Sequence, residues 1–425
     1  MLARGGRVVH RGLSVRRVPP PRTMAGVTTT RGNQAGPAAH GRRLARGLVV
    51  LALLAGAAGC GGPGGSGDVD PTASADPTES TGPAESTESI LGDALPPGSS
   101  GALVAGRGTT MDLCQGWGDP DVASGEAPGC DTVLDIGSMT KQFTAAAIVR
   151  LDMDGLLDVS DPLADHLPDV PADKRSVTIE QLLTHSSGFL DSLGSDDEPL
   201  TRDAFLREAL GSELLSRPGT AYLYSNVGYS LLTAVVEEAS GQGYEAYLAE
   251  HLFTPAGMTS TGYLLPDWSK EQVAAQYDAE GRSHGTPLDH PWADDGPYWN
   301  LRGNGGLLST PRDMFRWHVA LRGDTVLADD ARRKLFEPRV REEPDETYYA
   351  YGWVVDDPED PSILWHNGGN GWSYGEIARD PAGDTFVFWV ANRSAGDGWD
   401  LGEDGGGITS ALFERLAAGK TPAGG

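Results

Sequence analysis

Asp135-Ile136-Gly137-Ser138-Met139-Thr140-Lys141-Gln142-Phe143-Thr144-Ala145 is the stretch from which the fold can be read. Before it, Thr132 to Ile136 has the apolar, β-branched character of a short strand. After Gly137, Met139 to about Met153 reads as a strongly apolar helix stopped at Gly155. The stretch is therefore a strand-to-helix junction, with a serine and a lysine three residues apart where the helix opens. Positions i and i+3 share one helix face, about 5–6 Å apart at Cβ.

That spacing has chemical meaning. A serine hydroxyl is a poor nucleophile until a base takes its proton. A lysine amine can be that base when burial lowers its pKa from about 10.4 toward neutrality. Phe143, Ala145, Ala146, Ala147 and Ile148 offer that burial, and the helix N-terminus favours negative charge developing at Ser138. The chain has five lysines, preceded three residues earlier by Ser138, Pro171, Asp267, Ala331 and Ala417. Only Lys141 forms Ser-x-x-Lys.

Outward from the junction, Ser89 to Leu95 predicts a short helix. Ala102 to Ala105 and Met111 to Trp117 predict two strands about the turn Arg107-Gly108-Thr109-Thr110. The middle is helical in its apolar spacing at Thr178 to Thr184, Arg202 to Leu215 and Val227 to Ser240. Strand character returns at Tyr351 to Val355, Ile363 to His366, Ser373 to Arg379 and Thr385 to Ala391, with Pro381-Ala382-Gly383-Asp384 as a hairpin turn. A last helix covers Ile408 to Ala418. Strands at both ends with helices between predict an α+β (α/β) architecture: one antiparallel sheet made from both termini, flanked by helices, with a mostly helical part inserted at about 145–300.

The ends of the 425-residue chain carry other signals. Its formal net charge is −27, yet residues 1–59 hold ten arginines and no Asp, Glu or Lys. Of 33 basic residues 23 therefore face 60 acidic ones in residues 60–425, a net of −37. Such a body repels phosphate backbones, so nucleic acid is not an expected partner. Arg42, Arg43 and Arg46 precede the apolar run Leu48 to Ala58, which is too short for a lasting membrane span and reads as an export signal over 1–59. Met24 is an alternative start. Ala57-Ala58-Gly59-Cys60 looks like a lipobox, making Cys60 the lipidated first residue; an ordinary signal with a chance cysteine is the other reading. Residues 60–85, rich in Gly, Pro, Ser, Thr, Asp and Glu, read as a solvated tether. The folded domain is then 86–420, at the outer face of the cytoplasmic membrane or outside the cell. There the remaining pair, Cys114 and Cys130, reads as a disulfide, with two separate buried thiols as the alternative. No Cys/His cluster suggests a metal and no Gly-rich loop a nucleotide, so neither metal nor cofactor is expected.

Several stretches together resemble the class C-type branch of the serine β-lactamase and penicillin-binding protein superfamily, which includes D-alanyl-D-alanine carboxypeptidases and esterases. They are the 135–145 stretch, Leu182-Leu183-Thr184-His185-Ser186-Ser187-Gly188, Pro218-Gly219-Thr220, Tyr224-Ser225-Asn226-Val227-Gly228-Tyr229, Phe253-Thr254-Pro255-Ala256-Gly257-Met258 and Gly305-Gly306-Leu307-Leu308-Ser309-Thr310. The resemblance covers about Gly101 to Ala417. It implies Ser138 as nucleophile, Lys141 and Tyr224 as a coupled proton-handling pair, and Asn226 holding a substrate carbonyl. Tyr298-Trp299-Asn300 is a second Tyr-x-Asn. The family's Lys-Thr-Gly is absent, and His366-Asn367-Gly368 stands in its place, a form that occurs in the carboxypeptidase and esterase members. Gly368 would admit substrate against the strand, and the amides of Ser138 and Gly369 would form the oxyanion hole. His366 would be charged only below about 6.5. Gly371-Trp372-Ser373-Tyr374-Gly375 mimics a nucleophile elbow but lacks a following helix, so Ser373 reads as strand and Trp372 as cleft wall. His185 looks like a turn-holding residue.

The implied enzyme is a serine hydrolase acting through an acyl-enzyme, carboxypeptidase-like or esterase-like, on a peptidoglycan stem peptide, a β-lactam or an ester. A β-lactamase and a catalytically silent wall-binding lipoprotein are the other readings. A monomer is expected.

Overall fold

The computed structural model describes residues 77–79 and 85–418, except 120–124, 291, 344–345, 360 and 405. The export signal, Cys60 and most of the tether lie outside the described residues.

Two strands near the start meet two near the end. Strand β2 (Ser100–Arg107) pairs antiparallel with β3 (Thr110–Trp117) on one side. On its other side lies β11 (Thr385–Arg393), with Arg107 opposite Thr385 and Leu103 opposite Trp389. β10 (Tyr374–Arg379) and β9 (Leu364–Gly369) continue the sheet. Short strands β8 (Val354–Val355), β7 (Tyr348–Tyr349) and β6 (Val340–Arg341) finish it. At the far edge β1 (Thr78–Glu79) runs parallel to β3, so this short piece of the expected tether is laid against the sheet. A separate small ladder joins β4 (Leu134–Asp135) to β5 (Leu308–Ser309).

Side chains alternate across the central strands, as a period of two requires. Ala102, Val104, Phe386, Phe388 and Val390 join the main core. Leu103, Ala105, Val387, Trp389 and Ala391 face a second core shared with α11 (Gly406–Ala418) and Leu91 of α1 (Thr87–Leu91). The sheet is thus covered on both faces.

On the main face lies α2 (Lys141–Met153), buried on nearly every side, as a helix apolar all round must be. Gly155, at φ +72°, closes it in the left-handed conformation. Against it pack α5 (Asn226–Ser240) and the helical run Tyr244 to Ala256, made of α6 (Tyr244–Leu248), a π turn and α7 (Thr254–Ala256). α3 (Ile179–Leu183), α4 (Arg202–Gly211), α8 (Pro311–Ala320), α9 (Asp329–Phe336) and α10 (Leu401–Asp404) complete the helices.

Three expectations are adjusted. Tyr351 to Val355 pairs only at Val354–Val355, because Gly352 at φ +74° turns the chain where it presses on Lys141 and Gln142. Arg202 to Leu215 ends at Gly211. α8 and α9 were not expected, although Thr310 caps α8 by accepting from the Asp313 amide, with Pro311 at the first helical position. Cys114 and Cys130 are joined, their Cα atoms 5.2 Å apart.

Candidate active site

Asp135 sets up the junction. Its Oδ1 accepts the Gly137 amide at 2.8 Å, and its Oδ2 accepts the side-chain amide of Asn370 at 3.0 Å. The first bond holds the 3₁₀ turn Gly137–Thr140 at the mouth of α2; the second ties that turn to the tip of the β9–β10 hairpin. Gly137 itself is left-handed, at φ +51°. A Cβ there would sit 2.5 Å from the Gly369 nitrogen, and a Cβ on Gly368 would sit 2.6 Å from the Ser138 nitrogen. Strand β9 therefore lies directly on the turn that carries Ser138. The Ser138 and Gly369 amides flank this one contact, as an oxyanion hole requires.

Lys141 is completely buried. Its Nζ lies 3.0 Å from Ser138 Oγ, and it donates to Asn226 Oδ1 and to the Asn304 carbonyl, both at 2.7 Å. A neutral amine has two hydrogens and one lone pair. With the hydrogens directed at two carbonyl oxygens, the lone pair is left for the serine proton. Burial pulls the amine down to about 7, against the opposing charges of Asp191 and Asp196. Tyr224 stands over the amine, its ring centroid 4.8 Å away, and its hydroxyl lies beside Ser138. Burial pushes this phenol well above its usual range, so it stays protonated.

The supports are equally specific. Ser225 caps α5 by accepting the Gly228 amide, which fixes Tyr224 and Asn226 on either side of the helix start. Asn226 Nδ2 donates to Asp191 Oδ1 at 3.0 Å, which settles which end of the amide faces Lys141. One N–H of Asn226 then remains for a substrate carbonyl. His185, left-handed at φ 55°, accepts the Ser225 amide through Nδ1 and holds the turn, as the sequence reading expects.

A model of the Beta-lactamase family matches residues 97–404. The chain belongs to that family. A penicillin-binding protein of Bacillus subtilis (strain 168) is 29% identical over 286 residues, covering 64% of this chain and 63% of that one. The chain thus spans less than two thirds of that relative's length. A penicillin binding protein from Bacillus halodurans superposes with a TM-score of 0.64 at 27% identity, covering 77% of this chain and 98% of that one. A beta-lactamase/D-alanine carboxypeptidase from Yersinia pestis, at 22% identity and a TM-score of 0.63 over 78% of this chain and 96% of that one, shares the fold. Placement in the serine β-lactamase and penicillin-binding protein superfamily follows, and its members are serine hydrolases.

Within this beta-lactamase-family site His366 departs from expectation. It is buried; its Nε2 meets the Tyr349 hydroxyl at 3.0 Å and its Nδ1 the Asn367 carbonyl at 2.5 Å. Burial, and then the nearby Lys141 charge, lower its pKa to about 3, so the expected titration near 6.5 does not occur. Ser373 stands immediately before β10 and is followed by that strand rather than a helix, and its Oγ accepts from Gln276 at 3.0 Å. Trp372 stacks on His284, ring centroids 4.6 Å apart. Asn300, of the second Tyr-x-Asn, instead donates to the Ser195 carbonyl and keeps the 195–196 loop in place. No group of metal-ligating side chains occurs among the described residues.

Sequence reasoning missed Asp135, Asp191 and Asn304. Asn304 acts through its backbone oxygen, which has no side-chain signature; its Nδ2 donates to Ser230 Oγ and the Asn300 carbonyl, holding that oxygen on Lys141. Asp135 was inside the quoted stretch, and its place two residues before a left-handed glycine was the available signal.

Proposed function

We propose that this protein is an acyl-transfer hydrolase of the cell envelope, acting on an ester or amide, with an esterase-like substrate first and a D-alanyl-D-alanine peptide second. The carrying observation is the Lys141 amine, held by Asn226 and Asn304 with Ser138 Oγ 3.0 Å away. Lys141 and Tyr224 together take the Ser138 hydroxyl proton. Oγ bonds to the substrate carbonyl carbon, and the oxyanion rests on the Ser138 and Gly369 amides. Collapse breaks the bond to the leaving oxygen or nitrogen, which receives the proton. Water then attacks the acyl-enzyme by the same route in reverse. Because the pair titrates together, neither residue is named as sole base.

The order of substrates rests on charge. His366 is neutral, and the carboxylates of Asp191 and Asp196 face Lys141. Asp196 reaches water at the cleft mouth, yet the surrounding protein and the charges of Asp135 and Asp197 push it up to about 6. A substrate carboxylate gains little there. The second reading is supported by His366-Asn367-Gly368 on strand β9 beside Ser138 and by relatives named as penicillin-binding proteins. Envelope location and the lipid anchor at Cys60 belong to this proposal and rest on the sequence of residues 1–85; a monomeric state belongs to it as well.

The test is to incubate the domain and its Ser138→Ala variant with a nitrophenyl ester, a D-alanyl-D-alanine peptide and a penicillin, following turnover and intact mass. Ester turnover ahead of peptide turnover, both lost in the variant, is expected. Rapid penicillin loss would make the enzyme a β-lactamase. Turnover by the variant, or no adduct and no turnover by the parent, overturns the proposal.

A further inference from the structure

At the end of β10 remote from the candidate active site, Arg379 is 3% exposed. Tyr374, at the other end of that strand, is level with Gly369; the five intervening steps separate the two by about 17 Å. Arg379 lines a half-open cavity of about 370 Å³. Three other arginines line it as well: Arg322, Arg332 and Arg333. In a chain with a net charge of −27 such a grouping runs against the composition.

The partners of these groups show which charge is left over. Asp329 and Glu337 also line the cavity, but Asp329 is paired with Arg332 and Arg333, which also hold Asp324 and Asp330, and Glu337 is paired with Arg339. Asp384 is paired with Arg322. Asp380, next to Arg379 in sequence, accepts the amides of Asp384 and Thr385 across the hairpin. Arg379 itself makes no hydrogen bond through Nε or Nη1 to any described residue. It lies over the Phe336 ring, 5.0 Å from the centroid. A buried guanidinium with idle donors costs free energy unless an acceptor reaches it. Desolvation, and then the charges of Arg322 and Arg332, make it a poorer cation, to about 10, against the opposing charge of Asp380, so it stays charged at neutral pH.

We propose that this cavity is a binding site for a phosphate group, with Arg379 as its anchor and Arg322 on its wall. A doubly charged oxyanion offers several acceptors to donors converging from different walls, which suits arginine more than a single paired carboxylate would. Free phosphate and the phosphate monoester of a small polyol share this chemistry.

Calorimetric titration of the folded domain with inorganic phosphate and with glycerol 3-phosphate, at constant ionic strength set with chloride, tests the site. Saturable binding of at least one probe is expected, weakened about tenfold or more in Arg379→Gln. Ester turnover stays at the parent value in that variant. Tighter glycerol 3-phosphate identifies a monoester ligand; equal affinity identifies free phosphate. Should Arg379→Gln fail to fold, Arg322→Gln, whose half-buried side chain lines the same cavity, must weaken binding severalfold. No saturable heat with either probe, or unchanged affinity in the folded variants, overturns the proposal.

Discussion

A Cβ on Gly368 would stand 2.6 Å from the amide nitrogen of Ser138 and 2.4 Å from the Ile136 carbonyl. The two backbones touch where the nucleophile begins its helix. Gly368→Ala must therefore push β9 off the Gly137–Thr140 turn. Overpacking of this kind costs about 1–3 kcal/mol. It also displaces the Gly369 amide, and loss of one oxyanion donor lowers kcat by about 100- to 1,000-fold. Ester turnover and thermal unfolding of the variant check both; full activity would separate β9 from the chemistry.

The pH profile follows from Lys141. Its amine works when neutral, so kcat/KM rises with pH through about 7. Asp196, ionised above about 6, helps hold the proton on Lys141. Asp196→Asn removes that charge and moves the acidic limb to lower pH, by something under about one unit. An upward shift in a pH–rate measurement contradicts the assignment. Stability has its own sign: in the unfolded chain Lys141 stays protonated up to its ordinary 10.5, while in the fold it is neutral above about 7. Unfolding therefore takes up a proton in that window, and this group makes the fold more stable as pH rises across it.

His366 adds no second limb. Held near 3 by burial, it remains neutral from pH 5 to 9. His366→Gln keeps the shape of the profile and loses the bond to Tyr349, at a cost of about 1 kcal/mol. A step that vanishes from the rate profile in this variant would show that the imidazole titrates after all.

The disulfide acts on stability alone. Cys114 and Cys130 are separated by 16 residues, and closing such a loop contributes about 3 kcal/mol. Cys114→Ser with Cys130→Ser lowers the denaturation midpoint accordingly and leaves kcat unchanged. Loss of activity in the still-folded variant would link β3 to the site.

Much of this is legible in the amino-acid sequence. Ser138, Lys141 and Tyr224 announce themselves because side-chain chemistry does their work. The central strands show as continuous apolar runs, since each face of the sheet meets its own core. The rest was hidden for physical reasons. Asn304 contributes a carbonyl. The neutrality of His366 comes from burial beside Tyr349, seventeen residues away in the chain. Asp191 and Asp196 reach Lys141 only because a loop folds over the mouth of α2. Arg379 reads as one more strand residue until the pairing of every neighbouring acid is known.

The pairing of β2 with β11 also sets a timetable. Ser138, Lys141 and Tyr224 leave the ribosome well before residues 364–369, which carry the Gly369 amide of the proposed oxyanion hole, and before residues 385–393, which seat β2. A chain stopped anywhere short of β9 has a nucleophile with nothing to steady the charge it creates. The long closure between the first and last strands makes the final assembly slow and cooperative. Synthesis thus keeps the reactive serine idle until nearly the last strand has arrived.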